Sequence, residues 1–80
     1  MNTRIAVQNR IRQLCNEQGI TPNALSYRAG VPQSTVKSIL CDETQNPGIV
    51  TIKKLCDGFN ITLSEFFQTD EFQTLEQEIE

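Results

Sequence analysis

Two short segments of helical periodicity meet at a glycine and a proline near the middle of the chain. Residues 30–40 read GVPQSTVKSIL, with Gly30 closing the first segment and Pro32 opening the second. Glycine adopts the positive φ that a sharp turn needs. Proline is tolerated in the first turn of a helix, where its missing N–H leaves no hydrogen bond unmade. The pattern predicts two helices joined by a turn of about four residues, a helix-turn-helix.

The rest of the chain extends this pattern to an all-α domain of five helices. Apolar residues recur at helical spacing, and strand-like alternation is scarce. The fifth helix is predicted to open with the capping box Thr62-Leu63-Ser64-Glu65. The first four helices are predicted over about 3–18, 22–29, 32–41 and 49–58. The fifth helix is predicted to begin at about residue 62, and a last short helix is predicted within 70–80.

Charge divides the 80 residues into two parts. The formal net charge is −3, but residues 1–69 hold all seven basic residues and five of the ten acidic ones, which gives 7 − 5 = +2. The other five acidic residues lie in the tail 70–80. A mildly basic body, predicted as one domain over 1–69, permits polyanion binding but does not by itself argue for it.

Several function classes are disfavoured. Three widely spaced cysteines and no histidine offer no four-ligand zinc site, so we expect no metal and no cofactor. No nucleophile elbow or glycine-rich phosphate loop is present, and we expect no enzyme activity. No apolar run reaches about 18 residues, and charges are scattered through the first residues, unlike a secretory signal. We therefore expect a cytoplasmic protein that does not bind membranes.

The helix after the turn carries polar side chains on one side. Val36 and Ile39 are predicted to contact the preceding helix, where the small Ala29 would allow a close approach. An exposed helix about 10 Å across fits the major groove of double-stranded DNA, and Gln, Ser and Lys can bond to base edges. The residues left on the outer face, and predicted to read bases, are Gln33, Ser34, Lys37 and Ser38.

The chain resembles the small phage-repressor-type (XRE-like) helix-turn-helix regulators over residues 8–68. The resemblance rests on LCNEQGITPNALSYRAGVPQSTVKSIL followed by NPGIVTIKKLCDGFNITLSEFF. It implies a transcriptional regulator, with repression favoured, whose third helix enters the major groove while the N-termini of the second and fourth helices approach phosphates. The phosphate contacts implied for this sequence are Thr21, Asn23, Thr35, Thr44, Gln45 and Asn46.

Three places depart from the family's pattern. Pro22 replaces the usual phosphate-binding Gln, with Asn23 as its substitute, and Pro32 replaces the usual Ser or Thr cap. Cys15 and Leu40 stand where many members have an Arg and a Glu that pair. Replacing both members of a buried ion pair by apolar residues can be neutral or stabilising, so this double change supports the alignment.

The apolar residues near the C-terminus leave two interpretations open. They either close the bottom of the domain or form the dimer face that a two-fold DNA site demands. These residues are Phe66, Phe67, Phe72, Leu75 and Ile79. The partners expected are double-stranded DNA and a second copy of the chain. An alternative function is a protein-interaction module, such as an antitoxin or anti-repressor, that binds a protein partner through this Phe-rich end.

Two expectations concern single side chains outside these sets. Arg10 and Arg12 are expected to be solvated or to pair with the acidic tail rather than with DNA. The ring of Tyr27 is expected to pack in the core, as most aromatic rings do.

The Cys15–Leu40 replacement yields a stability prediction. Leu40→Glu restores one member of the ion pair without its partner, and an unpaired buried charge costs about 3 kcal/mol or more. We expect a large fall in the thermal unfolding midpoint. An unchanged midpoint would contradict a contact between Cys15 and residue 40.

Overall fold

A computed structural model describes residues 2–41 and 46–79 of the protein. In this described part the chain forms six α-helices and no β-strand, which confirms the predicted all-α class. The helices are α1 (Thr3–Gln18), α2 (Pro22–Ala29), α3 (Gln33–Cys41), α4 (Ile49–Phe59), α5 (Leu63–Phe67) and α6 (Asp70–Gln73). None of the helices in the described residues is long and apolar enough to cross a membrane.

Several helices begin and end at the capping residues that the sequence predicted. The Thr21 hydroxyl accepts a hydrogen bond from the Ala24 N–H at 3.1 Å, which caps the start of α2. Gly30 ends that helix in the left-handed region, at φ 66°. The capping box of α5 is complete, because Thr62 and Glu65 bond each other's backbone N–H groups at 3.0 Å.

Two boundaries differ from the prediction. Helix α3 starts at Gln33, one residue later than expected, and the Pro32 carbonyl accepts from the Val36 N–H at 3.2 Å. Helix α6 covers a single turn of the 70–80 segment. The Asp70 carbonyl accepts from both the N–H and the hydroxyl of Thr74, each at 3.1 Å, at the end of this turn. Acidic residues further along would oppose the negative end of the helix dipole.

The core lies between α1 and the other helices. The least exposed large side chains are Phe66, Ile11, Leu25, Ile39, Leu55, Val36 and Cys56. Cys15 and Leu40 are both buried members of the same cluster. Phe72 of the acidic tail packs against this core, and the Glu71 carboxylate accepts from the Asn9 amide at 3.1 Å. The first turn of the tail is therefore attached to the domain body.

Helices α2 and α4 approach each other at two small residues. A β-carbon added at Gly58 would lie 3.0 Å from the Ala29 Cβ and 3.0 Å from the Ala29 backbone nitrogen. The sequence predicted that Ala29 allows α2 to approach α3, and the structure adds a close approach of Ala29 to Gly58 of α4. The missing side chain at Gly58 lets the two backbones pack closely, and this fixes α2 relative to α4.

Gly58→Ala is expected to destabilise the domain. Overpacking a tight contact costs about 1–3 kcal/mol, and the better helix propensity of alanine offsets about 0.8–1 kcal/mol of that cost. The net loss of unfolding free energy, measured by urea denaturation, should be up to about 2 kcal/mol, and larger for Gly58→Val. Lys54→Ala, on the exposed side of α4, serves as the control. A Gly58→Val protein as stable as the parent would show that α2 and α4 can separate without cost.

Candidate nucleic-acid interface

Helix α3 separates its apolar and polar residues as its sequence predicts. Val36 and Ile39 are buried, whereas Gln33, Ser34 and Lys37 are exposed. The remaining polar positions of α3, Thr35 and Ser38, are half-buried. Three of the four predicted base-reading side chains therefore lie fully on the surface, and Ser38 lies at the edge of the exposed face.

A shallow depression of about 160 Å³ lies between the start of α2 and α3. Asn23 lines it together with Gln33 and Lys37, and Cys41 lies at its end. The site thus combines two amides and an ammonium group along one surface. Glutamine and asparagine can bond adenine bidentately, and lysine can donate to guanine or to a phosphate. The arrangement can present donors and acceptors to a base edge and a cation to the adjacent backbone.

The starts of α2 and α4 offer different groups to an anion. In α2, Pro22 has no N–H, and the Ala24 N–H is bonded to Thr21, so neither donor is available to a phosphate. In α4, the capping position is Gly48, and no side chain caps the first turn. Uncapped N–H groups and the positive end of the helix dipole favour anions. Asn46 lies exposed just before α4, whereas Thr44 and Gln45 lie outside the described residues.

Side chains of α1 hold the C-terminal end of α3. The Gln8 amide donates to the Ile39 carbonyl at 2.8 Å, and the Arg12 guanidinium donates to the Leu40 carbonyl at 2.6 Å. Arg10 likewise donates to the Phe66 carbonyl at 2.7 Å. Arg12 is exposed to solvent, as expected, but both arginines bond backbone carbonyls of other helices and neither pairs with the acidic tail in these bonds. The sequence carries no signal for these bonds, because their acceptors are backbone groups that every residue type supplies.

The Phe-rich end is mostly interior. Phe66 is fully buried, which agrees with the first of the two interpretations and corrects its place in a dimer or partner face. Phe67 and Phe72 are half-buried against the core, with their ring centroids 4.9 Å apart in an edge-to-face contact. Leu75 is half-buried, and only Ile79 is largely exposed, at 85%. These phenylalanines close the bottom of the domain, so the alternative of a protein-interaction module loses its main anchors.

Three apolar side chains are exposed although the sequence did not predict their exposure. Tyr27 is 79% exposed, so the expectation of a buried ring was wrong. Ile49 and Val50, at the start of α4, are 59% and 66% exposed. A helical pattern assigns such residues to a face, but it does not say whether a neighbouring element covers that face.

The three cysteines are free and differ in environment. Cys15 and Cys56 are buried, and burial raises the pKa of both thiols. For Cys56 the nearby Asp57 carboxylate also raises the pKa, whereas Lys53 lowers it. Cys41 is exposed. Within the part of the chain that the structure describes, no three metal-binding side chains come together.

Comparisons with known proteins agree with this geometry. The family model described as a Cro/C1-type HTH DNA-binding domain matches residues 10–71. The crystal structure of the prophage Lp1 protein 11 is similar over 94% of this chain and 100% of its own, with a TM-score of 0.81 and 29% sequence identity. No curated protein matches the chain.

A second similar structure is that of the wild-type restriction-modification controller protein C.Esp1396I. It shares 18% identity with this chain and covers 98% of it and 100% of its own length, with a TM-score of 0.78. A single-residue mutant of the same controller protein gives a TM-score of 0.80 at 19% identity, over 95% of this chain and 100% of its own. At these identities the two structures show a shared fold.

Arg12→Ala is expected to loosen the end of α3. A hydrogen bond from a charged donor contributes about 1.5–3 kcal/mol, and solvent exposure of Arg12 reduces this to about 1 kcal/mol. The measurement is the urea midpoint. Arg28→Ala, which removes the same charge from exposed α2, should change stability by less than about 0.5 kcal/mol. Equal effects of the two changes would contradict a specific role for the Arg12–Leu40 bond.

Proposed function

Because the chain belongs to the Cro/C1-type helix-turn-helix DNA-binding domain family, we propose that it is a sequence-specific transcriptional repressor that binds double-stranded DNA as a homodimer. Helix α3 lies in the major groove of each half-site. Two copies of α3 then read successive major grooves about 34 Å apart on one side of the duplex. Repression follows from occupancy alone, since a bound dimer blocks access of the polymerase to the promoter.

The observation that carries this proposal is the depression shared by Asn23, Gln33 and Lys37. Gln33 bonds a base edge with both its amide oxygen and nitrogen, a geometry that suits adenine. Ser34 and Ser38 add single hydrogen bonds along the same face. Lys37 contacts either a guanine or a phosphate, and mutation distinguishes the two roles. These four residues supply the sequence preference of the protein.

Phosphate contacts set the position of α3 in the groove. Asn23, at the start of α2, and Thr21 beside it approach one strand, and the half-buried Thr35 of α3 is a further proposed contact. The uncapped start of α4 and the exposed Asn46 approach a second phosphate. The sequence-based candidates Thr44 and Gln45 belong to the same proposed contact. Because few basic residues take part, we expect a specific affinity of about 10⁻⁸ M or weaker.

Selection from a random duplex pool tests the proposal. We expect the full-length protein to enrich a palindromic sequence. Gln33→Ala should weaken binding to it by about 1–3 kcal/mol and relax the preference at one base of each half-site. The physical reason is that loss of a bidentate contact removes discrimination against the wrong base. Failure to enrich any sequence would contradict sequence-specific binding.

Lysine variants separate base contact from phosphate contact. If Lys37 binds a phosphate, Lys37→Ala should weaken binding to all sequences about equally. The slope of the logarithm of the binding constant against the logarithm of the salt concentration should then become shallower by about one. If Lys37 reads a base, the preference relaxes instead. Lys54→Ala, which removes an exposed lysine of α4, is the matched control and should leave both affinity and preference close to those of the parent. An equal loss for Lys54→Ala would show a diffuse charge effect and contradict a specific role for Lys37.

A further inference from the structure

The acidic tail continues beyond α6 and returns to the start of α1. The Glu71 carboxylate accepts from the Asn9 amide in the middle of α1. Further along, the Glu78 carboxylate accepts from the Thr3 hydroxyl at 2.8 Å and from the Thr3 N–H at 3.4 Å. The tail therefore runs antiparallel to α1, since later residues of the tail contact earlier residues of the helix. We call the two hydrogen bonds between Thr3 and Glu78 the tail latch.

The tail latch lies at a recess of about 600 Å³ that the start of α1 shares with the residues before α4. Thr3 and Glu78 line this recess together with Asn46. Among the described residues, the charged side chains of its lining are Arg4 and Glu78. The carboxylate of Glu78 thus offsets the charge of Arg4 and adds a negative charge to the recess that Asn46 lines.

This position matters because Asn46 and the uncapped start of α4 are the groups proposed above to approach a DNA phosphate. A carboxylate and a phosphate repel each other, but salt screens the repulsion within a Debye length of about 8 Å. Only a carboxylate that is held near the phosphate therefore has a large effect. The tail latch holds Glu78 at the recess, whereas a released tail would spread the same charge through the solvent.

We propose that the tail latch is autoinhibitory, because Thr3 holds the Glu78 carboxylate in the recess beside Asn46 and so lowers the affinity of the protein for DNA. This inference rests on the proposed function, since it needs DNA phosphates to approach the start of α4. Removing the tail latch raises the affinity by the reciprocal of the fraction of molecules in which it is open. Both hydrogen bonds are exposed to solvent and contribute modestly. We therefore expect a gain of about threefold to tenfold.

Thr3 allows the tail latch to be removed without a change in the charge of the tail. Thr3→Pro deletes both donors, because proline has no hydroxyl and no N–H. Thr3 is the first residue of α1, and Asn2 before it is extended, at φ −96° and ψ 168°, which suits a proline at the next position. The helix cap is kept, since the Asn2 side chain accepts from the Ile5 N–H at 2.9 Å.

DNA titrations of two Thr3 variants test the inference. Thr3→Pro should bind the duplex selected by the parent protein about threefold to tenfold more tightly than the parent does. The gain should be the same for a scrambled duplex of equal length, because phosphate contacts carry no sequence information. Thr3→Ser keeps both donors and should bind like the parent.

A matched pair of glutamate variants separates the tail latch from a general charge effect. Glu78→Gln and Glu76→Gln each remove one negative charge, two positions apart in the same tail. Glu78→Gln should raise the affinity for DNA by at least about threefold, and Glu76→Gln by less than about twofold, since screening weakens a charge that is not held at the recess. Equal gains would overturn the inference in favour of a diffuse effect of the tail charge.

A measurement without DNA shows whether the tail latch forms. The hydrogen bonds from the Thr3 hydroxyl and N–H lower the pKa of the Glu78 carboxyl, because they stabilise its charged form. In an NMR titration, this pKa should rise toward the usual glutamate value in Thr3→Pro and stay lowered in Thr3→Ser. The same pKa of Glu78 in the parent and in Thr3→Pro would overturn the inference.

The outcomes separate this inference from the proposed function. If the parent and Thr3→Pro bind the selected duplex equally well, the inference fails and the proposed function stands. If Thr3→Pro binds more weakly, Thr3 itself contacts DNA, and again only the inference fails. If neither protein enriches any duplex, the proposed function fails, and the inference fails with it.

Discussion

The structure depends on hydrogen bonds that run from the side chains of α1 to the carbonyl ends of other helices. The last carbonyl groups of a helix have no partner within the helix, and they are costly to bury without one. Arg12 donates to the end of α3, Gln18 donates to the Phe59 carbonyl at the end of α4 at 2.8 Å, and Arg10 donates to the end of α5. One helix thus supplies hydrogen-bond donors to backbone carbonyls at the ends of three others.

The depression between α2 and α3 is held from two sides. From one side, α1 bonds the end of α3, and buried Val36 and Ile39 attach α3 to the core. From the other side, α2 is held against α4 by the close approach of Ala29 and Gly58. The depression between α2 and α3 therefore takes its shape from the packing of both helices against the rest of the domain. Polar groups on well-packed helices are held in more precise positions than polar groups on loops.

The predictable features are those that depend on local sequence. Helix starts and ends followed Thr21, Gly30 and the capping box at Thr62, and the amphipathic pattern of α3 gave the correct exposed face. The sequence could not show the bonds of Arg10 and Arg12, because their acceptors are backbone carbonyls brought close by the fold. It also could not decide whether aromatic residues were interior or exposed: both options stayed open for Phe66, which is buried, and the ring of Tyr27 was expected in the core but is exposed.

The unequal environments of the cysteines give the molecule a built-in labelling site. Thiolates react with maleimides, and burial of Cys15 and Cys56 keeps those thiols protonated and shielded. Cys41 is exposed at the end of the depression, beside Lys37. A fluorophore coupled there would sit at the edge of the depression without any engineered residue. Its emission would report in real time any molecule that occupies the depression, in a protein that contains no tryptophan to give such a signal.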